Sequence, residues 1–232
     1  MIIEKKQKNQ FFIYNNEIVT DSYENIFNIN LWEENVVGSA KGRGTTWFIQ
    51  WKNLQIALKH YFRGGLWGKV VKDKYLYLGL NRTRSWKEFY LLEQLRMEGL
   101  PVPQAIAAKV KKKFLLYQTD IITERIENAE SIISFLTKNN LKVEQFIEIG
   151  KIVKKMHRLN VCHTDLNANN ILIDSSNKIW LIDFDKCSKR EGDYWKKNNL
   201  NRLKRSFEKE SHKFTLNLTS DYWDYILQGY SL

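Results

Sequence analysis

The sequence predicts an α+β protein of two lobes, strand-rich to about Arg125 and helix-rich beyond it. Three observations lead there. Apolar and β-branched runs fill the first half, among them Leu54–Phe62, Val102–Val110 and Lys113–Ile126. Val143–Leu159 places Phe146, Ile149, Val153 and Met156 on one helical face. From Cys187 onward the chain is basic and mostly helical in pattern. The division expected is residues 1–125, an N-terminal extension and first lobe, and residues 126–232, the second lobe.

The elements follow in order. Residues 1–36 carry only short apolar runs such as FFIY and read as an extension or edge element. Gly38–Ile49 is glycine-rich and precedes the strand-like Leu54–Phe62, so a two-stranded hairpin crossing a glycine turn is expected. Arg63–Gly79 reads as irregular. Ser85 and Glu88 have capping-box spacing at the start of a helix through Trp86, Phe89, Tyr90 and Leu95. Gly99 ends that helix and Pro101 blocks its resumption. Lys111–Lys113 suit the turn between the next two strands. After the helix at 143–159 comes a loop, VCHTDLNANN. Ile171–Asp174 and Ile179–Asp185 then form a hairpin across SSNK.

The 232 residues are 43% hydrophobic, enough for a substantial core. A net charge of +11 predicts an anionic partner, whether nucleic acid, a phosphorylated small molecule or a membrane surface. Cys162 and Cys187 form no CxxC pair, so a reducing compartment is expected. No secretory signal and no membrane-spanning run is visible, which points to the cytoplasm.

The chemistry concentrates in two loops, HTDLNANN (His163–Asn170) and LIDFD (Leu181–Asp185). Each lies at the edge of a short apolar strand. The first offers the carboxylate of Asp165 and the amide of Asn170, and the second offers Asp183. Phosphoryl transfer needs few groups of this kind: a carboxylate to orient a hydroxyl, and hard oxygen ligands for Mg²⁺. The alternative for each residue alone is a turn, cap or strand-end role.

Together the loops resemble the H-R-D-x-x-x-x-N and D-F-G motifs of the protein-kinase-like superfamily. The resemblance implies a bilobal fold, ATP and Mg²⁺ as cofactors, Asp165 as catalytic base, and Asn170 and Asp183 as metal ligands. It makes His163 a structural residue beneath the metal loop. Lys59, in IALKHYF, matches the ATP-positioning lysine, with Glu88 as its ion-pair partner and Glu93 as the fallback; a solvent-facing strand lysine is the alternative. No second metal ligand is evident near His60. Gly38, Gly42 and Gly44 take the place of the phosphate-covering loop, with Lys41 and Arg43 at its tip, although their spacing is GxxxGxG and a plain turn explains them as well. Glu124 and Arg125 fall at the lobe connection, where backbone groups would meet adenine.

Several superfamily features are missing. Thr164 replaces the arginine, Asp185 replaces the glycine, and no A-P-E segment follows. Asn167 stands where a lysine often faces the transferred phosphate, so another Lys or Arg has to supply that charge. These departures favour a small-molecule or lipid-sugar acceptor over a protein. HYFRGGLWGK (His60–Lys69), RSWKEFYLLEQLRMEGLPVPQ (Arg84–Gln104) and CHTDLNANNILID (Cys162–Asp174) resemble the bacterial lipopolysaccharide kinase family, over about residues 36–210. That resemblance implies transfer of the ATP γ-phosphate to the 4-hydroxyl of 3-deoxy-D-manno-octulosonic acid (Kdo) on Kdo-lipid A. It also implies a peripheral location on the cytoplasmic face of the inner membrane.

Charge agrees with such a substrate. Residues 59–113 hold thirteen basic and four acidic side chains, and residues 186–213 hold ten and four. Arg63, Lys69, Lys72 and Lys74, interleaved with Trp67 and Tyr75, form a candidate patch for an anionic membrane, and a solvated loop is the alternative. No nucleic acid and no protein partner is expected. The other readings are a phosphotransferase for an aminoglycoside or choline-like compound, an atypical protein kinase, and a catalytically dead or nucleic-acid-binding module.

Overall fold

In a computed structural model of the chain, residues 1–20, 22–42, 44–64 and 72–232 are described. They form two compact units, residues 1–93 with 104–125, and residues 94–103 with 126–232. Arg43, Trp67 and Lys69 lie outside the described residues.

The first unit is built on an antiparallel sheet. Its strands are β1 (Ile2–Gln7), β2 (Gln10–Asn15), β3 (Val36–Lys41), β4 (Thr45–Trp51), β5 (Leu54–His60), β6 (Tyr75–Leu76), β7 (Ala105–Lys113) and β8 (Leu116–Glu124). The order is β1-β2-β7-β8-β5-β4-β3, with β6 added to β8. Residues 1–36 do supply the edge, but they also enter the core. Phe12, Tyr14, Val19, Ile26 and Phe27 pack with Ile49, Ile56, Leu58 and Ile122. Each such side chain contributes roughly 1.5–3 kcal/mol when fully buried.

Three local expectations change. The glycine turn joins β3 to β4, while β4 reaches β5 through Lys52 and Asn53, with Lys52 at φ 56°. The result is three strands where two were expected. Lys111–Lys113 lie inside β7, and the turn is Phe114–Leu115. Ser85 does not cap α1 (Arg84–Met97). It is fully buried, and its hydroxyl bonds Thr119 on β8, so tertiary contact overrides the local capping signal.

The C-terminal turn of α1 belongs to the second unit. Gly99, at φ 71°, ends it as expected: Leu100 N donates to Leu95 O at 2.9 Å and Gly99 N to Arg96 O at 2.8 Å.

The rest of the second unit is mainly helical. Its elements are β9 (Ala129–Ser131), α2 (Ile132–Leu136), α3 (Val143–Arg158), β10 (Val161–Cys162), β11 (Ile171–Asp174), β12 (Ile179–Leu181), β13 (Ser188–Lys189), α4 (Tyr194–Ser211) and α5 (Tyr222–Ser231). The expected β11–β12 hairpin is present and β9 pairs with β11. The apolar face of α3 is buried through Phe146, Ile149, Val153 and Met156.

Two glycines set the α3–α5 contact. A Cβ on Gly150 would lie 2.0 Å from Ile226 O, and one on Gly229 would lie 1.9 Å from Ile147 O. Both obstacles are backbone, which cannot swing aside. Gly150→Ala is therefore expected to cost at least about 2 kcal/mol in urea unfolding. Unchanged stability would show that the helices are not in this contact.

His157 joins three helices. Its Nδ1 accepts from Tyr230 Oη (2.8 Å) and its Nε2–H donates to Asn199 Oδ1 (3.0 Å). Burial, reinforced by Lys196, pushes its pKa down to about 4 against the bond to Asn199. The folded chain thus resists protonation that the unfolded chain accepts near pH 6.5. Stability from His157 is fully present above about pH 6.5 and is lost as pH falls toward about 4, at most ~3 kcal/mol in all. Urea unfolding of the wild type should weaken across that window, and His157→Gln should flatten the slope. Parallel slopes would contradict the assignment.

Candidate active site

The loop of Asp165 is held by its own backbone and amides. Cys162 ends β10, and a single 3-10 turn at Ala168–Asn170 leads into β11. Asn167 Oδ1 accepts from Asn169 N (2.9 Å) and Asn170 N (3.2 Å), capping the turn. Asn167 Nδ2 donates to Asp165 O at 2.9 Å, and so does Asn170 Nδ2. Asn167 is thus consumed in shaping the loop. With the Asn170 NH₂ so placed, its Oδ1 is the oxygen suited to a hard cation.

Hairpin register brings the second loop alongside. Ile171 pairs with Leu181, and Ile182 N donates to Asn170 O at 3.0 Å. Asn170 therefore enters the hairpin opposite the point where Asp183 leaves it. Asp183 has φ 64°, a left-handed conformation that Asp tolerates better than most residues. Among the described residues no group of three His, Cys, Asp or Glu side chains could hold a metal. Mg²⁺ carried on phosphates needs only one or two protein ligands, and one amide oxygen with one carboxylate suits that donor set.

His163 links the loops and is fully buried. Its Nδ1 accepts from Asp165 N (3.2 Å), and its Nε2–H donates to Ile182 O (3.0 Å). The ring meets Phe184 edge-on at 4.9 Å. These bonds require one neutral tautomer. Burial pushes the pKa down, against the Ile182 carbonyl and the nearby Asp183 and Asp165. Thr164 adds a second tie, its hydroxyl donating to Asp185 O at 3.2 Å. The positive φ angles of this segment fall at Asp183 and Lys186, so Asp185 does not need the freedom of glycine.

One face of α4 grips the same loop, and sequence reasoning missed it. Asn199 Nδ2 donates to His163 O (2.7 Å), Arg202 donates to Asp165 Oδ1, and Ser206 Oγ accepts from Ala168 N (2.9 Å). Positions 199, 202 and 206 follow helical spacing. The available signal was that polar stripe, which on sequence alone reads as a solvated face. Asp165 and Arg202 are each about half exposed.

The first unit holds the other predicted residues. Lys59, on β5, opposes Thr46 on β4 and Ile121 on β8, in the interior of the sheet. Its Nζ lies 5.4 Å from the ring centre of Tyr61, and the Tyr61 hydroxyl donates to Glu88 Oε2 at 2.5 Å. Lys59 and the buried Glu88 thus meet the same buried tyrosine, a residue the sequence reading did not single out. Glu124 ends β8 with its Oε2 accepting from Gln104 N at 3.1 Å.

Gly42 N donates to Gly44 O at 2.9 Å in the β3–β4 turn. Of these glycines Gly44 has the closest neighbour: a Cβ there would lie 2.1 Å from the Phe62 ring, which would have to turn aside. Gly38 sits in β3, where a Cβ would make ordinary contact with Phe48. His60 has the carboxylate neighbours that the sequence did not reveal. Its Nδ1 lies 2.5 Å from Asp120 and its Nε2 lies 3.2 Å from Asp73, while Lys109 meets Asp120 at 3.0 Å. This is an ion-pair network with the cation already in place.

Relatives align along nearly the whole chain. Three are 3-deoxy-D-manno-octulosonic acid kinases: from Haemophilus influenzae (strain 86-028NP), 48% identical over 97% of this chain and 98% of its own; from Vibrio vulnificus (strain YJ016), 47% identical over 99% and 98%; and from Mannheimia succiniciproducens, 45% identical over 99% of both. Residues 28–230, which contain every predicted site residue and Arg202, match the lipopolysaccharide kinase (Kdo/WaaP) family, and the chain belongs to that family.

Proposed function

We propose that the chain transfers the γ-phosphate of ATP to the 4-hydroxyl of Kdo on Kdo-lipid A, with Asp165 as the base. The carrying observation is the junction of two loops through His163, with Asp165, Asn170 and Asp183 at its rim. The acceptor is read from the names of relatives that align along nearly their full length.

In this reading residues 1–125 anchor ATP, with Lys59 on phosphate oxygens and Glu88 supporting it beside Tyr61. Gly38, Gly42 and Gly44 contribute backbone near the phosphates, and the chain around Glu124 meets adenine. Residues 126–232 carry the catalytic and metal loops and the acceptor side. Asn170 and Asp183 would hold Mg²⁺, which would supply neutralising charge to the phosphate oxygens. Asp165 orients the acceptor hydroxyl and takes its proton on Oδ2, because Arg202 engages Oδ1. Arg202 positions that carboxylate and supplies the positive charge that Asn167 lacks.

No helix among the described residues is long and apolar enough to cross a membrane. A peripheral place on the cytoplasmic face of the inner membrane, against its anionic lipids, suits a lipid-linked acceptor. The patch expected there is altered, since Tyr75 is buried and Arg63 packs on its ring at 5.0 Å.

The test is labelled-phosphate transfer from ATP–Mg²⁺ to a Kdo–lipid A precursor. Asp165→Ala should lower turnover by at least about 10³-fold with the thermal midpoint preserved. Undiminished activity would sink the mechanism. An exposed ion pair adds only about 0–1 kcal/mol to stability, so Arg202→Ala tests function cleanly. It should lower kcat about tenfold to a hundredfold with little change in KM for ATP, and Arg202→Lys should recover part of the loss. Equal effects of Ala and Lys on KM alone would contradict a role beside Asp165.

A further inference from the structure

Four exposed large apolar side chains lie together at one end of the sheet. Phe114 is 85% exposed and Leu115 73%, in the two-residue turn between β7 and β8. Beside them, Leu76 is 55% exposed and Leu78 60%. The strands place these groups side by side: Leu76 pairs with Leu116, and Tyr77 N donates to Leu115 O at 2.8 Å.

Neither the turn nor the core accounts for Phe114. Its φ is 54°, a left-handed conformation that Gly, Asn or Asp adopts readily and a bulky aromatic does not. Its side chain packs on no core. A residue unfavourable for its own turn and unfavourable in water is favourable only if something apolar receives it.

Cations surround this tip. Lys111 and Lys113 are exposed on β7, Lys74 is exposed just before β6, and the neighbouring β1–β2 turn carries exposed Lys8. Lys112 N bonds Asn9 O at 2.9 Å, which fixes that turn beside β7. In residues 72–78 and 108–116 the sole carboxylate is Asp73, and it is engaged by His60 and Gln118.

An apolar wedge ringed by lysines is complementary to an anionic bilayer: acyl chains for the wedge, headgroup charge for the ring. We infer that the β7–β8 turn, with Leu76 and Leu78 beside it, docks the protein onto an anionic lipid surface by inserting Phe114 and Leu115 between headgroups. The inference takes from the proposed function only that the acceptor is lipid-linked.

The experiment is co-sedimentation of the full chain with vesicles of phosphatidylethanolamine and phosphatidylglycerol, against phosphatidylcholine alone. Phe114→Asn with Leu115→Ser keeps a turn-compatible residue at the strained position and removes the wedge. It should lower partitioning onto the anionic vesicles about tenfold or more. Lys111→Glu with Lys113→Glu should abolish the preference for phosphatidylglycerol. Both variants should keep wild-type turnover on a deacylated, water-soluble Kdo acceptor.

Wild-type failure to bind anionic vesicles, or undiminished binding by the wedge variant, would overturn the inference. Self-association that the wedge variant dissolves, without vesicle binding, would overturn it in favour of a second copy of the chain. Tip-dependent vesicle binding by a wild type inactive on both acceptors would uphold the docking surface and sink the proposed function instead.

Discussion

A neutral imidazole holds this site together. His163 accepts from the backbone of Asp165 on one nitrogen and donates to the carbonyl before Asp183 on the other, so both loops depend on one ring in one tautomer. The ring is sealed by Phe184, and its own carbonyl is held by Asn199. Each such bond contributes only about 1 kcal/mol net, but leaving a buried partner unmatched costs about 1–3 kcal/mol. The cost of breaking the arrangement is therefore larger than the sum of its bonds suggests. That asymmetry can support the left-handed backbone of Asp183 and hold the Asp165 loop while its carboxylate stays half exposed.

The departures from the kinase-like motifs fit this view. Thr164, in place of the arginine, ties the Asp165 loop to the backbone carbonyl of residue 185. Asn167 is a neutral amide where a lysine is usual, and both ends of that amide are committed to the loop. The charge beside Asp165 comes instead from Arg202, across a helix that also supplies Asn199 and Ser206. Rigidity and electrostatics are delivered to the loop from one helical face.

The legible parts were those written in local pattern. HTDLNANN and LIDFD are the two loops that His163 joins, α3 announces itself by its apolar face, and Gly99 marks a helix end. What escaped depends on contacts between distant residues. Ser85 has capping-box spacing but is drawn to Thr119. Lys111–Lys113 look like turn residues, yet the register of β7 with β8 pushes the turn onto Phe114 and Leu115. The stripe of Asn199, Arg202 and Ser206 looks like a wet helix face until its partner loop is in place. His60 showed no neighbours because Asp73 and Asp120 are thirteen and sixty residues away.

The proposed reaction phosphorylates one hydroxyl of a lipid-linked sugar. Product analysis tests it most directly: incubation of Kdo–lipid A precursor with ATP–Mg²⁺ and the wild-type chain, followed by phosphorus and proton NMR of the isolated glycolipid. A single new phosphomonoester on the 4-oxygen of Kdo is expected. A phosphate at another position, or none with this acceptor while another alcohol is phosphorylated, would contradict it.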